Sequence, residues 1–406
     1  VREQAETPDL AQQFRAFAVG AARDGAPLYE RICNGVAGDG GLLGLLAEAP
    51  PDQRRPNLLL AAVHYLLLAG AGGPLGAHYR TVAVWRASEL GGDVMHGGGL
   101  PQLRSAPRNP DAAGTSGPDP FSDFKAFCEL HRDQLAGLIA TRATQTNEVG
   151  RCIALLPTFA GLAARHDFPL SLLDLGSSAG LNLLFDRYAY AYTRAHAAAS
   201  TDRSAEVVRA GHSGSPVLLD AELREGVLPD LELPRVAHRA GIDRRPVDPV
   251  NEDQSLWLLA CQWPDHVERF RRLRDALALA RTIPERARVT TGDVVTSLQG
   301  AAQAAPAGAH LCIFHTWVAA YLTPRRQEEL VAAVTGLAQE RPVSWIFAEN
   351  PYEVPALPLP APPGGRTVKG STALVLVEFT GGRARSRRLA DMHPHGRWIH
   401  WWGWPE

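Results

Sequence analysis

The sequence predicts an α/β protein: a doubly wound, mostly parallel sheet with an antiparallel C-terminal edge, preceded by an all-α N-terminal region. Three observations carry this. Leu170-Ser171-Leu172-Leu173-Asp174-Leu175 is a short apolar run that ends against a glycine turn, as a buried parallel strand does. After it, strand-like runs alternate with helical ones: Arg288–Thr291, Val294–Gln303, His310–Phe314, Arg325–Gln339 and Val343–Phe347. Before it, the apolar spacing is helical, as in Phe14, Phe17 and Ala18, and in the run that Asn57 opens and Leu68 closes.

The remaining elements follow in chain order. Residues 1–165 form the helical region, in which 91–120 are crowded with Gly, Pro, Ser and Asp and read as a flexible loop. Residues 166–406 form the α/β domain, with an apolar helix expected from Ala179 onward. Val207–Ala210 and Val217–Asp220 read as an inserted hairpin. Trp263 to Ala280 reads as an amphipathic helix with Val267, Phe270, Leu273 and Leu277 on its inner face. Thr372–Phe379, Arg385–Leu389 and Trp398–Trp402 alternate with period two and supply the antiparallel edge.

Composition narrows the function classes. The 406 residues are 45% hydrophobic and 21% charged with a formal net charge of -2, which disfavours a protein built to grip nucleic acid through phosphates. Cys33, Cys128, Cys152, Cys261 and Cys312 are scattered, without zinc spacing, and point to a reducing compartment. Val1 to Gly20 lacks an export pattern, and the apolar run Leu58–Leu68 is too short to span a bilayer. A cytoplasmic protein without a membrane partner is expected. His393, His395 and His400 lack a carboxylate or cysteine at a spacing that completes a metal site, so no metal is expected.

The segment from Asp174 through Gly176, Ser177, Ser178, Ala179 and Gly180 to Asn182 is the most informative in the chain. Glycines at 176 and 180 let backbone approach a ligand, the helix start after them favours a carboxylate or phosphate, and Asp174 can accept from an ammonium or hydroxyl. In open α/β sheets, ligands sit at such strand ends. Gly176 to Gly180 also fits G-x-S-x-G. A serine hydrolase would use Ser178 as nucleophile, Asp293 or Glu349 as acid and His393 or His395 as base, with His96-Gly97-Gly98-Gly99 as oxyanion motif. The helical character of everything before Leu170 argues against that elbow.

The strand–acid–glycine–helix opening resembles the first motif of class I S-adenosylmethionine-dependent methyltransferases, a Rossmann-type fold. The whole chain resembles a bacterial family of unknown function that joins a helical N-terminal region to that fold. The resemblance is carried by Pro27-Leu28-Tyr29-Glu30, Asn57 to Tyr65, Thr141 to Arg151, the glycine turn through Tyr188, Trp263-Pro264-Asp265, Gly292-Asp293, Phe314-His315-Thr316 and His395-Gly396-Arg397-Trp398.

The resemblance implies that Asp174, Gly176 and Gly180, with Ser177, Ser178 and Asn182 in the same turn, line the methionine end of S-adenosylmethionine. It implies Asp243 for the ribose hydroxyls and Asp293 for the adenine amine. One departure is that Ser178 stands where the family carries a central glycine. His315, at a strand end, is the candidate base, with Glu349 similarly placed. Asn147 and Arg151 are candidates to cover the cofactor carboxylate. The expected function is a small-molecule methyltransferase or related S-adenosylmethionine-using enzyme. The alternative is a catalytically silent subunit that binds or stabilises a protein partner.

Overall fold

The computed structural model describes residues 9–90, 119–165, 168–194, 206–366, 368–380 and 383–404. The loop expected over 91–120 lies outside them except for its last two residues, as does the His96-Gly97-Gly98-Gly99 stretch. The chain divides into two units: Val1–Gln145 with Leu256–Arg271, and Thr146–Ser255 with Arg272–Glu406.

The first unit is helical. Its helices are α1 (Leu10–Arg23), α2 (Pro27–Val36), α3 (Gly40–Ala47), α4 (Pro56–Leu68), α5 (Arg80–Leu90), α6 (Pro120–Leu130) and α7 (Arg132–Thr141). Local chemistry sets the starts. Asp9, Asp39 and Asp119 accept from the first free amides of α1, α3 and α6, and proline opens α2, α4 and α6 where no amide is needed. All but two residues of α4 are buried, so the helix is apolar around nearly its whole girth.

The second unit opens with α8 (Cys152–Arg165) and β1 (Leu170–Leu175), followed by β2 (Ala189–Arg194), β3 (Glu206–Gly211), β4 (Leu218–Glu225) and β5 (Val236–Asp243). The chain continues through α9 (Glu252–Ala260), α10 (Val267–Thr282), β6 (Arg288–Thr291), α11 (Leu298–Gln303), β7 (His310–Thr316), α12 (Pro324–Glu340) and β8 (Val343–Glu349). It closes with β9 (Thr372–Thr380), β10 (Arg383–Met392) and β11 (Trp398–Trp401). One sheet runs β3-β2-β4-β11-β10-β9-β8-β7-β1-β5-β6. The pairs β6-β5, β5-β1, β1-β7 and β7-β8 are all parallel. The chain winds outward one way from β1 and returns the other way from β7, so the order reverses between those two strands.

The expected α/β class with a mostly parallel sheet and N-terminal helices is what the fold has. Three details differ. The antiparallel strands β9, β10 and β11 are not an edge, because β11 pairs in parallel with β4 and the insertion strands extend the sheet beyond it. Val207–Ala210 and Val217–Asp220 fall in or at the start of β3 and β4, which form no hairpin: both pair with β2, one on each side. Finally, Leu181–Arg187 is a 3-10 turn rather than an α-helix.

Alternation along β1 and β7 positions the site. Asp174 lies beside Phe314 in register, and Leu175 beside His315. Asp174, Phe314 and Thr316 therefore share the face on which Phe314 meets Phe159 of α8, with ring centroids 5.4 Å apart. Leu175 and His315 share the opposite face, where Leu173, Ile313, Trp345 and Phe347 pack with Leu330 and Val334 of α12.

Candidate functional site

Two loops leave the sheet at the point of reversal, one after β1 and one after β7. Among the described residues, Ser178 (φ 53°) and Trp317 (φ 57°) are the two non-glycine residues with positive φ, and each lies in one of these loops. A side chain held in the left-handed region costs on the order of 1 kcal/mol, and such strain gathers where function needs it. Ser178 thus keeps the backbone a glycine would take without being one.

Asp174, at the end of β1, is 3% exposed. Burial pushes its carboxyl well above the usual range and nearby Asp243 adds to the rise, against weaker opposition from the Ser177 hydroxyl and Arg151. The acid is therefore poised to gain from a cationic neighbour. Asp243 closes β5 beside the same loop. One of its oxygens accepts from Ser178 N at 2.8 Å and the other from Arg245 N at 2.8 Å. A carboxylate can accept about four hydrogen bonds, so it retains capacity for more.

The loop's own amides are engaged. Gly176 N and Ser177 N donate to Ile242 O, and Gly180 N donates to Ser177 O. Asn147 accepts from Ala179 N at 3.2 Å and from Leu181 N at 3.3 Å, taking the amides that a ligand anion was expected to meet. The glycines answer to protein as well. A Cβ on Gly176 would stand 2.4 Å from Val318 Cγ2, and one on Gly241 would stand 2.2 Å from Ser177 Oγ. Asn182 accepts from the Cys152 thiol at 3.5 Å and so turns toward α8.

Arg151 is 6% exposed and ties the rim together. It donates from Nη1 to Thr316 O at 3.0 Å and Thr316 Oγ1 at 3.2 Å, and from Nε to Pro394 O at 3.1 Å. Its guanidinium lies 5.6 Å from the centroid of Trp317, whose indole donates to Thr372 Oγ1. Beside it, Glu148 Oε2 is 3.2 Å from His395 Nδ1, and Glu148 Oε1 accepts from Gly150 N. The turn carrying His395 is pressed on this segment so closely that a Cβ on Gly396 would lie 2.0 Å from Gly150 O.

The structure therefore brings Asp174, Ser177, Ser178, Asp243, Asn147 and Arg151 to one region. It sets His315 and Glu349 apart from them. These two are fully buried on the opposite face and paired Nδ1 to Oε1 at 2.7 Å, and the same Glu349 oxygen accepts from Val318 N and Ala319 N. Their evident work is to hold the loop after β7. Trp317 and the Glu148–His395 contact were not singled out from sequence as site features. The polar run before Arg151 and the His-Pro-His-Gly stretch were the available signals, but their pairing is visible only in three dimensions.

Asp293 follows β6. One oxygen accepts from Val295 N, Thr296 N and Arg326, and the other from Arg244 at 3.0 Å. That leaves little acceptor capacity for an adenine amine. Burial alone would raise its pKa, but the arginines and amides outweigh it and hold the carboxyl far below its ordinary value of 3.8. A depressed folded-state pKa contributes stability above the ordinary value that is lost as pH falls below it. Asp293→Asn is therefore expected to lower Tm near neutrality and to narrow its gap to wild type between about pH 4 and pH 2. Parallel acid limbs in thermal melts of the two proteins would contradict this.

Among the described residues, no group of three or more His, Cys, Asp or Glu side chains could hold a metal ion, and no helix is long and apolar enough to cross a membrane. Two stretches, residues 11–95 and 93–401, match the family model described as an uncharacterized protein conserved in bacteria, DUF2332. The chain belongs to this DUF2332 family. No curated protein and no solved structure matches it.

Proposed function

We propose that this DUF2332 protein binds S-adenosylmethionine in the crevice at the carboxyl ends of β5, β1 and β7, as a small-molecule methyltransferase or a related enzyme using that cofactor. The single observation that carries the reading is the pair of acids Asp174 and Asp243, which end adjacent strands on either side of a loop that keeps a glycine-type backbone at Ser178. The parallel order β6-β5-β1-β7-β8, which reverses at β1 and β7, supports it as the doubly wound arrangement in which ligands meet strand ends.

The residues fit the cofactor at two of its three parts. Asp243 has acceptor capacity for ribose hydroxyls, and the desolvated Asp174 would be relieved by the ammonium of the methionine end. Asp293 is a poor fit for adenine, being filled by its own arginines and amides. When bound, the sulfonium would supply an electrophilic methyl group. The protein's part is to orient it, exclude water and receive a small substrate. Thr316, Trp317, Arg151 and the Glu148–His395 pair border that space, and His395, with a side chain 20% exposed, is the better placed proton acceptor. His315 and Glu349 act here as supports of the β7 loop.

A second reading is favoured by the closed amides of the β1 loop and by Val318 packed on Gly176: a methyltransferase-like scaffold that binds or stabilises a protein partner without turnover. Calorimetric titration with S-adenosylhomocysteine separates the two. The enzyme reading expects saturable one-site binding, weakened about 10- to 100-fold in Asp243→Ala through loss of hydrogen bonds to a charged group. Absence of binding to the wild-type protein leaves the scaffold reading.

A further inference from the structure

Trp317 is a bulky side chain on a backbone that glycine takes with less strain, at φ 57°. Such strain persists where the surroundings over-determine a conformation, and here three contacts do so. The Trp317 amide donates to Ala348 O at 2.9 Å, its indole Nε1 donates to Thr372 Oγ1 at 2.8 Å, and the Arg151 guanidinium lies 5.6 Å from its ring centroid. Ala348 belongs to β8 and Thr372 opens β9, so the indole reaches from the end of β7 across β8 to β9. In sheet order Asp243 and Asp174 end strands on one side of β7, and this indole lies on the other. The plane of one half-buried ring is thereby fixed on the rim, away from the two acids.

The loops on that side carry further aromatic surface. Tyr321, after β7, is 70% exposed and Tyr352, after β8, is 73% exposed. Buried Gln327 of α12 ties the two loops together within two residues of each tyrosine. Its amide nitrogen donates to Ala319 O at 3.0 Å, Leu322 O at 3.3 Å and Glu353 O at 2.9 Å, and its oxygen accepts from Ala356 N at 3.3 Å. Aromatic rings presented on rigid segments give a ligand contact area at small entropic cost.

We propose that Trp317 sets substrate specificity by stacking, and that the methyl acceptor is a planar aromatic or heteroaromatic small molecule. The inference rests on the S-adenosylmethionine reading of the crevice and names its second ligand. A cationic acceptor fits less well, because Arg151 already places positive charge over the same ring. An aliphatic acceptor gains from burial but nothing from a fixed ring plane. The Glu148–His395 pair stands on the same rim, since Arg151 Nε donates to Pro394 O at 3.1 Å, next to His395. That neighbour suits an acceptor carrying a hydroxyl or a ring N–H.

The test is a ligand-observed NMR titration of the full chain with naphthol and with its saturated counterpart decahydronaphthol, each with and without saturating S-adenosylhomocysteine. The two alcohols share a carbon skeleton and a hydroxyl but differ in aromaticity. Wild type is expected to bind naphthol about 3- to 10-fold more tightly than decahydronaphthol, the range for one well-stacked ring. Trp317→Leu keeps apolar bulk and should erase that preference, whereas Trp317→Phe restores a ring and should recover most of it. Equal wild-type affinity for the two alcohols, no binding of either, or a preference kept intact in Trp317→Leu would overturn the proposal. If S-adenosylhomocysteine does not bind while the Trp317-dependent preference persists, the cofactor reading falls and the stacking specificity stands without it.

Discussion

Replacing Glu349 by Ala is expected to destabilise the second unit by about 3–5 kcal/mol, the order expected when three buried groups lose their shared hydrogen-bond acceptor. The carboxylate is fully buried and does three things at once. It accepts from Val318 N at 2.8 Å and from Ala319 N at 3.0 Å, and it meets His315 Nδ1 at 2.7 Å. Alanine leaves two amides and an imidazole without an acceptor in a region walled by Trp345 and Phe347, whose ring centroids lie 5.9 and 5.8 Å from that of His315. A fall in Tm on the order of 10 °C follows for a unit of this size. Glu349→Gln retains an acceptor oxygen and should lose markedly less. If alanine and glutamine cost the same in chemical denaturation, the loop-holding role is wrong.

Gly396→Ala is expected to be the most damaging single methyl group near the crevice. Its Cβ would stand 2.0 Å from Gly150 O and 2.5 Å from Gly150 C, and the residue sits at φ 71°. Neither contact is with a flexible side-chain tip, so backbone has to move. Strain and overpacking together cost about 2–4 kcal/mol. The movement separates Pro394 from Arg151 and His395 from Glu148, which loosens the rim without touching Asp174 or Asp243. Amide hydrogen exchange should therefore accelerate at residues 148–151, and S-adenosylhomocysteine binding should weaken at least about 10-fold. Unchanged exchange across that segment would show that the turn is not held where the structure puts it.

Three strands of the parallel core, β1, β7 and β8, were visible in the sequence because they are buried throughout and read as largely apolar runs. Leu170–Leu175 and Arg288–Thr291 appear with the bounds expected of them, and β7 and β8 run two residues further than their apolar content shows. Partner choice was not legible. Val217–Asp220 reads as a short strand, but nothing in it says that β4 lies between β2 and β11 rather than in a hairpin with β3. The same holds for the site. The acid and glycines after β1 announce a strand-end turn, whereas the capture of its amides by Asn147, and of Arg151 by Thr316 and Pro394, depends on contacts between distant segments. His315 and Glu349 show the limit of reading position alone: both end strands beside the crevice, yet their side chains point to the opposite face.

The most direct measurement is the electron density of crystals grown with S-adenosylhomocysteine. The nucleoside is expected over the carboxyl ends of β5 and β1, its ribose hydroxyls on Asp243 and its amino group toward Asp174. Crystals that diffract well and show only protein side chains over Gly176 to Ser178, at saturating ligand, would contradict it.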